Sequence, residues 1–439
     1  MKLSNFSERT QKFIKNSGWM VFSRVYQMIF SLIVGALTAR YLGPNNYGVI
    51  NYGLSYVNIF NTICSLGFEG VIVKRIINNP KEEGELLGTS ILLRTLASIF
   101  SIISLILFFN FSNSDTATII VGTIQSISLI FNIYEILELW LQAKLMSKYA
   151  TIARCIAVTC VGIWKVTMLT LNVSVEFFAF TTIIESVVTL LVLVISYMKL
   201  KGPKIKVKMA LTKKILFEGS QFLLSSLCII IYTRMDKIML GAFIDNVSVG
   251  IYSAALIISE LWQFIPMAII NSSRPLLLQY KQEDESKYNE RIKLVYSIII
   301  FMGIFVGIGI MIFGKIAIKI LYGQEYLDAF APLAILVWAS IFAVLGSART
   351  TWLITENKEK YLKIFVLLGA IVNLILNYLL IERFTIIGVA MATLMAQVVV
   401  SIIAPYIFKE TRISTIHIFK AMNPIPILNK FKLKNNKNK

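Results

Sequence analysis

The chain has 439 residues, of which 56% are hydrophobic and only 15% charged, with a mean hydropathy of +0.73. A soluble domain carries roughly 25% charged residues, so this balance excludes an ordinary soluble protein. The net charge of +19 would suggest a nucleic-acid partner in a soluble chain, but here it collects in short segments between apolar blocks, and no nucleic acid is expected.

Residues 1–17 read as a basic amphipathic tail carrying Lys2, Arg9, Lys12 and Lys15. The run from Gly18 to Ala39 is too long for the apolar core of a signal peptide, contains Arg24, and is followed by many more such runs. Each apolar block approaches the twenty residues that cross a bilayer core. The first six predicted spans are 18–39, 47–68, 87–109, 116–140, 150–171 and 177–198. The second six are 217–241, 248–273, 294–320, 331–355, 361–381 and 385–408. The expected fold is therefore all-α and integral to the membrane, with about twelve transmembrane helices and no extramembrane domain.

The distribution of Lys and Arg sets the orientation. With the N-terminus inside, the inside segments hold 32 of the 43 cations and the outside loops only two, Arg40 and Arg383. The positive-inside rule then puts both termini in the cytoplasm. The most basic loop between spans, 199–216, holds seven lysines and divides the chain into six-span halves, 18–198 and 217–408, with a basic tail at 409–439. Two halves that each start inside form parallel repeats, expected as pseudo-symmetric bundles around a central cavity. Tyr47-Gly48-Val49-Ile50 opening span two and Val249-Gly250-Ile251-Tyr252 opening span eight form a faint internal echo.

The polar residues within spans recur at helical spacing. Span one has Arg24, Gln27, Ser31, Gly35 and Thr38; span two has Asn51, Ser55, Asn58, Thr62 and Ser65. Span four has Gln125, Ser128, Asn132, Glu135 and Gln142; span six has Thr182, Glu185, Thr189 and Ser196. Span seven has Gln221, Ser225, Tyr232 and Asp236; span eight has Ser253, Glu260, Gln263 and Asn271. Small polar positions of this kind suit plain helix–helix contact. Charges are different, because a cation at mid-bilayer costs roughly 2.5–3.5 kcal/mol even on insertion scales. Seven cations lie well inside spans: Arg24, Arg94, Arg154, Lys165, Arg234, Lys237 and Arg349. Lys237 and Arg349 are candidates to reach the headgroups, and Arg94 and Arg154 are near enough to an inside end to do the same. Arg234 or Lys237 could instead pair internally with Asp236 or Glu260. Arg24 has no acid in its own span.

Buried cations in excess over acids fit a water-filled cavity for an anion such as a phosphate or pyrophosphate, which guanidinium grips in a two-point fork. The candidate substrate-binding residues are Arg24, Gln27, Asn51, Asn58, Arg154, Lys165, Arg234 and Gln263. The acids Glu135, Glu138, Glu185, Asp236 and Glu260 are candidates for carrying a coupling H+ or Na+. The four cysteines all fall within spans and read as buried thiols, and the one histidine, His417, lies in the basic tail. No metal site and no cofactor are expected. No phosphate loop or nucleophile motif is present, and outside loops of about ten residues leave little room for glycosyl transfer, so an enzyme is not expected.

Several strings resemble one family. Ala39-Arg40-Tyr41-Leu42-Gly43-Pro44 is followed by Tyr47-Gly48, and Gly67-Phe68-Glu69 leads to Lys74-Arg75. Asp236-Lys237-Ile238-Met239-Leu240-Gly241, Leu321-Tyr322-Gly323-Gln324-Glu325-Tyr326 and Thr355-Glu356-Asn357-Lys358 complete the set. In a twelve-span frame these resemble the Wzx-type bacterial polysaccharide repeat-unit flippases of the multidrug/oligosaccharidyl-lipid/polysaccharide exporter superfamily. The resemblance implies alternating access and an undecaprenyl-pyrophosphate-linked oligosaccharide moved from the inner to the outer leaflet. Capsule, O-antigen or exopolysaccharide assembly would follow, with membrane lipids, a polymerase and chain-length machinery as partners. It also implies a cavity role for Arg24, since related lipid-precursor flippases place an arginine in the cavity from their first span. A drug/cation antiporter of the same superfamily is the rival reading, and would favour an acidic cavity.

Overall fold

The computed structural model describes residues 8–112 and 115–423, and every regular element among them is a helix. The expected tail segments 1–7 and 424–439 lie outside the described residues. Among the described residues, nine helices are long and apolar enough to cross a bilayer, ten when a bent pair is taken as one crossing. The first and last of these each contain a break, at Gly43 and Thr385, which brings the crossings to the expected twelve. Large apolar side chains face outward, with Phe100 71% and Phe305 80% exposed, a surface that only lipid would cover. The chain divides into two compact units, Met1–Gly250 and Ile251–Lys439.

The first unit begins with α1 (Glu8–Cys64), which breaks at Gly43. Gly43 holds φ 70°, a left-handed value that suits glycine, and Pro44 follows it. α2 (Glu69–Asn78) and α3 (Glu83–Phe111) follow. Span four, predicted as one helix, is instead α4 (Thr116–Ser126), α5 (Ser128–Phe131) and α6 (Tyr134–Ala143), bent by 40°. Its own polar residues account for the bend. The bend falls between Phe131 and Tyr134, where Asn132 is drawn sideways to Asn61 and Ser186 on other helices, while Ser126 and Ser128 donate back to Thr123 O and Gln125 O and interrupt the ladder one turn earlier.

α7 (Ser147–Thr170) and α8 (Val175–Lys199) complete the first six crossings. The linker is ordered: Lys206 N donates to Gly84 O at 3.0 Å and Lys208 N to Thr89 Oγ1 at 3.0 Å, laying it along α3. α9 (Met209–Phe243) and the start of α10 (Asn246–Glu260) close the unit. The Tyr47-Gly48 and Val249-Gly250 echo has a packing reason. A Cβ on Gly48 would lie 1.6 Å from Asn246 O, and one on Gly250 2.0 Å from Pro44 O, so the two turns meet backbone to backbone.

The second unit holds the rest of α10, then α11 (Phe264–Glu283), α12 (Glu285–Leu321), α13 (Phe330–Thr355) and α14 (Lys360–Val398). A π-helical stretch, Val399–Ile403, leads to α15 (Ala404–Ile407). Arg349 does not reach the headgroups. It is 1% exposed, and its Nη1 donates to Val400 O at 2.9 Å and its Nη2 to Ser401 O. A π turn disturbs the regular ladder, and a buried guanidinium supplies donors to its carbonyls.

Within the expected tail, α16 (Arg412–Ala421) is a helix docked on α12, where Ser297 donates to Ala421 O at 2.7 Å. His417 is on its buried face. Burial, and secondarily Lys293 and Lys420, pushes its imidazole down to about 4. An unfolded histidine titrates near ~6.5, so between these values the undocked state binds more protons. Docking is therefore full above the unfolded value and is lost as pH falls toward 4. Amide exchange across 412–421, corrected for intrinsic rates, should accelerate between pH 7.5 and 5. His417→Asn should remove that dependence, and equal acceleration in both proteins would sink the assignment.

Candidate functional site

A cavity with a volume of about 940 Å³ lies in the first unit. Its charged lining comes from four helices: Arg24 on α1, Glu69 on α2, Glu135 and Glu138 on α6, and Arg154 on α7. Gln27, Thr62, Ser65 and Gln142 add uncharged polar groups, and α9 contributes Phe222, Ser226, Ile229 and Ile230. Most of these residues sit toward the helix ends that join the Lys/Arg-rich segments.

The aromatic face of α1 orients Arg24. Phe22, Tyr26 and Phe30 stack at i, i+4 spacing, and Tyr26 Oη bonds Thr159 Oγ1 of α7 at 2.8 Å. Phe30 packs over Gly162 of α7. With that face committed to α7, Arg24 and Gln27 line the cavity from another. Gln27 Nε2 donates to Ser23 Oγ at 2.7 Å.

Two ion pairs build the opposite wall. Arg94 does not snorkel: it is 1% exposed and its Nη2 meets Glu135 Oε2 at 2.8 Å. Asn61 joins the pair, accepting from Arg94 at 3.2 Å and donating to Glu135 Oε1 at 3.2 Å. Asn132 donates to the Asn61 Oδ1 at 3.0 Å and accepts from Ser186 at 2.8 Å. The bend in span four thus carries Glu135 to Arg94 through a polar network that engages Arg94 Nη2 and leaves its buried Nε without a hydrogen-bond partner. In the second pair, Arg154 Nε and Nη2 donate to Glu138 Oε1 and Oε2 at 2.8 and 2.6 Å. Arg24 and Glu69 make no ion pair with any described residue.

The expected cation excess is not found in this lining, where two arginines face three glutamates and Arg94 stands behind one of them. The excess holds over the spans taken together, but only side chains facing the cavity set its field. The other sequence candidates lie outside this lining. Asn51 is buried, donating to Tyr47 O at 2.9 Å and accepting from Lys237 Nζ at 3.2 Å. Lys237 and Asp236 are also buried, so Lys237 does not reach the headgroups. Asn58 offers its carbonyl to Thr62. Lys165, further along α7, feels the charge of Glu185 on α8. Arg234 is half-buried on α9. Gln263 and Glu260 belong to the second unit. Cys64 is buried, whereas Cys155, Cys160 and Cys228 are only partly so; all four are free thiols.

Many of the small polar residues bond back to their own helix, as Ser55, Thr62, Ser65, Thr182, Thr189, Ser196 and Ser225 do. Sequence reasoning missed Asn61 and Glu69. Asn61 falls just off the polar stripe of span two, and Glu69 was taken only as part of a loop string. An amide within an apolar run was the available signal for the first.

Residues 13–281, more than half of the chain, match the family described as polysaccharide biosynthesis protein. A probable flippase, AglR of Haloferax volcanii, is 29% identical over 181 residues, 39% of this chain and 37% of that protein. The probable low-salt glycan biosynthesis flippase Agl15 of the same organism is 26% identical over 186 residues, 40% of this chain and 38% of that protein. The similarity therefore spans well under half the length of either relative. Among solved structures, an inward-facing multidrug resistance MATE family transporter of the MOP superfamily superposes with a TM-score of 0.74 at 15% identity, covering 90% of this chain and 96% of that one. The lipid II flippase MurJ, in an inward closed conformation, gives 0.73 at 17% identity, covering 96% and 93%. At such identities the likeness shows a shared fold. With that fold and a family match across all of its first six crossings, the chain belongs to the polysaccharide biosynthesis protein family.

Proposed function

We propose that the protein is a flippase, carrying a lipid-linked oligosaccharide from the inner to the outer leaflet of a bacterial cytoplasmic membrane by alternating access. Both termini are cytoplasmic in this reading. We take the carrier to be undecaprenyl pyrophosphate, with the glycan passing outside to polymerase and chain-length machinery. The observation that carries the reading is Arg24, a guanidinium in a 940 Å³ cavity with no ion pair to any described residue. Such a group is placed to grip a pyrophosphate. Gln27, Thr62, Ser65 and Gln142 supply polar partners for sugar hydroxyls, while the isoprenoid remains in lipid. Relatives named as flippases support the same class of substrate.

The three glutamates of the lining favour the rival, a cation-coupled drug exporter. The test is an extract of lipid-linked sugars from cells lacking the protein, with sidedness read by a membrane-impermeant glycan probe. Accumulation on the inner face supports the flippase. Normal appearance on the outer face, together with lost ethidium efflux, establishes the exporter instead.

A further inference from the structure

Arg154 and Glu138 occupy each other through both guanidinium donors and both carboxylate oxygens. The arginine side chain is the exposed member of the pair at 45%, and the glutamate is the covered one at 15%. A phosphate binds guanidinium through the same parallel donors that Glu138 engages. An anion entering the cavity therefore competes with Glu138 for Arg154.

The surroundings determine what becomes of the displaced carboxylate. Glu135 on its own helix is held by Arg94 of α3. Glu69 on α2 shares the lining and feels the charges of Glu135 and Glu138, and Arg24 on α1 is the other cation there. Lys165 on α7 and Glu185 on α8 act further along the bundle. The α9 side of the cavity, Phe222, Ser226, Ile229 and Ile230, carries no charge. A freed Glu138 thus has Glu69, the Arg94-paired Glu135 and the incoming anion in the same lining, and of its cations Arg154 has been taken and Arg24 faces the same anion. Like charges at close range favour the protonated acid.

We propose that anion loading is an exchange, in which phosphate oxygens replace the Glu138 carboxylate on Arg154 and Glu138 takes up one proton. This deepens the flippase reading and rests on it. One ion pair breaks, one forms, and one proton passes from water to a Glu138 oxygen; no covalent bond of the substrate changes. Release of the anion reverses each event. Because proton and anion load together on the same side, an inward proton gradient opposes export by this route. The exchange assigns Glu138 to loading and leaves the driving ion to another group.

The test uses the full chain in neutral detergent, with farnesyl pyrophosphate and inorganic pyrophosphate as probes. Calorimetric titration in two buffers of different ionisation enthalpy counts the protons taken up on binding. The expected result is close to one more proton for the native protein than for Glu138→Gln, the difference cancelling the ligand's own titration. Glu138→Gln should also bind several-fold more tightly, with a pH dependence from 5 to 8 that follows only the ligand's own ionisation, because its amide holds Arg154 less strongly. Equal proton counts in the two proteins, with binding that still requires Arg24, overturn the exchange and leave the flippase reading standing. Absence of binding of either probe to the native protein overturns both. Should Glu138→Gln fail to fold, Glu138→Asp serves: it breaks the two-point fit, keeps the acid, and should retain proton uptake with tighter binding.

Discussion

Arg24→Ala should effectively abolish transport while leaving insertion and protein level unchanged. Its side chain packs against no apolar core and pairs with no described residue, so truncation removes little that holds the fold. What it removes is a charged donor set facing the cavity. Charge-assisted hydrogen bonds contribute roughly 1.5–3 kcal/mol each, so losing one or two lowers capture by roughly ten- to more than a hundredfold. Arg24→Lys separates charge from shape: an ammonium restores attraction and leaves the fork unmade. Partial surface glycan in the lysine variant would mean that charge dominates, and none would mean that geometry does. Full glycan assembly in Arg24→Ala at normal protein levels would end the assignment of this cavity to the substrate.

Arg94→Met should be strongly destabilising. The guanidinium is buried beneath the cavity wall and serves both Glu135 and Asn61. Methionine fills a similar volume but leaves Glu135 without its counter-ion, and breaking a buried pair costs about 3–5 kcal/mol. The lower end applies, because Glu135 keeps an edge 20% exposed toward the cavity. The companion Arg94→Met, Glu135→Gln double variant should recover most of the loss, since Asn61 can still bond an amide and no charge remains unpaired. Thermal unfolding in detergent measures both. If single and double variants melt together below the native protein, the loss is one of packing and the ion pair is not the cause.

These two arginines show how far the chain could be read before its fold was known. Both stand out by the same signal, a cation within an apolar run. Their roles could not be separated from spacing. Arg94 is near enough to a span end to reach the headgroups, yet a partner on α6 makes burial tolerable, and α6 meets it beyond the bend at Asn132–Ile133. Lys237 and Arg349 follow the same rule, with Asn51 and the carbonyls of a π turn as partners. Snorkelling is a choice between water and an internal partner, and a single helix cannot show the partner.

The sequence by itself determined the twelve crossings, with the turns at Gly43 and near Thr385. Hydrophobic length, polar punctuation and glycine act locally, over one helix or one turn, and each leaves its mark in a short window of residues. The family resemblance was equally legible, being carried by short strings at those same turns. Only the tertiary structure decided which polar residues share the cavity, that Asn61 is the hub of its wall, and that its glutamates offset the expected cation excess. Those outcomes depend on rotations of separate helices about their own axes. A rotation is fixed by packing between helices, here by the aromatic face of α1 on α7 and the side-chain network that bends span four, and no single span encodes it.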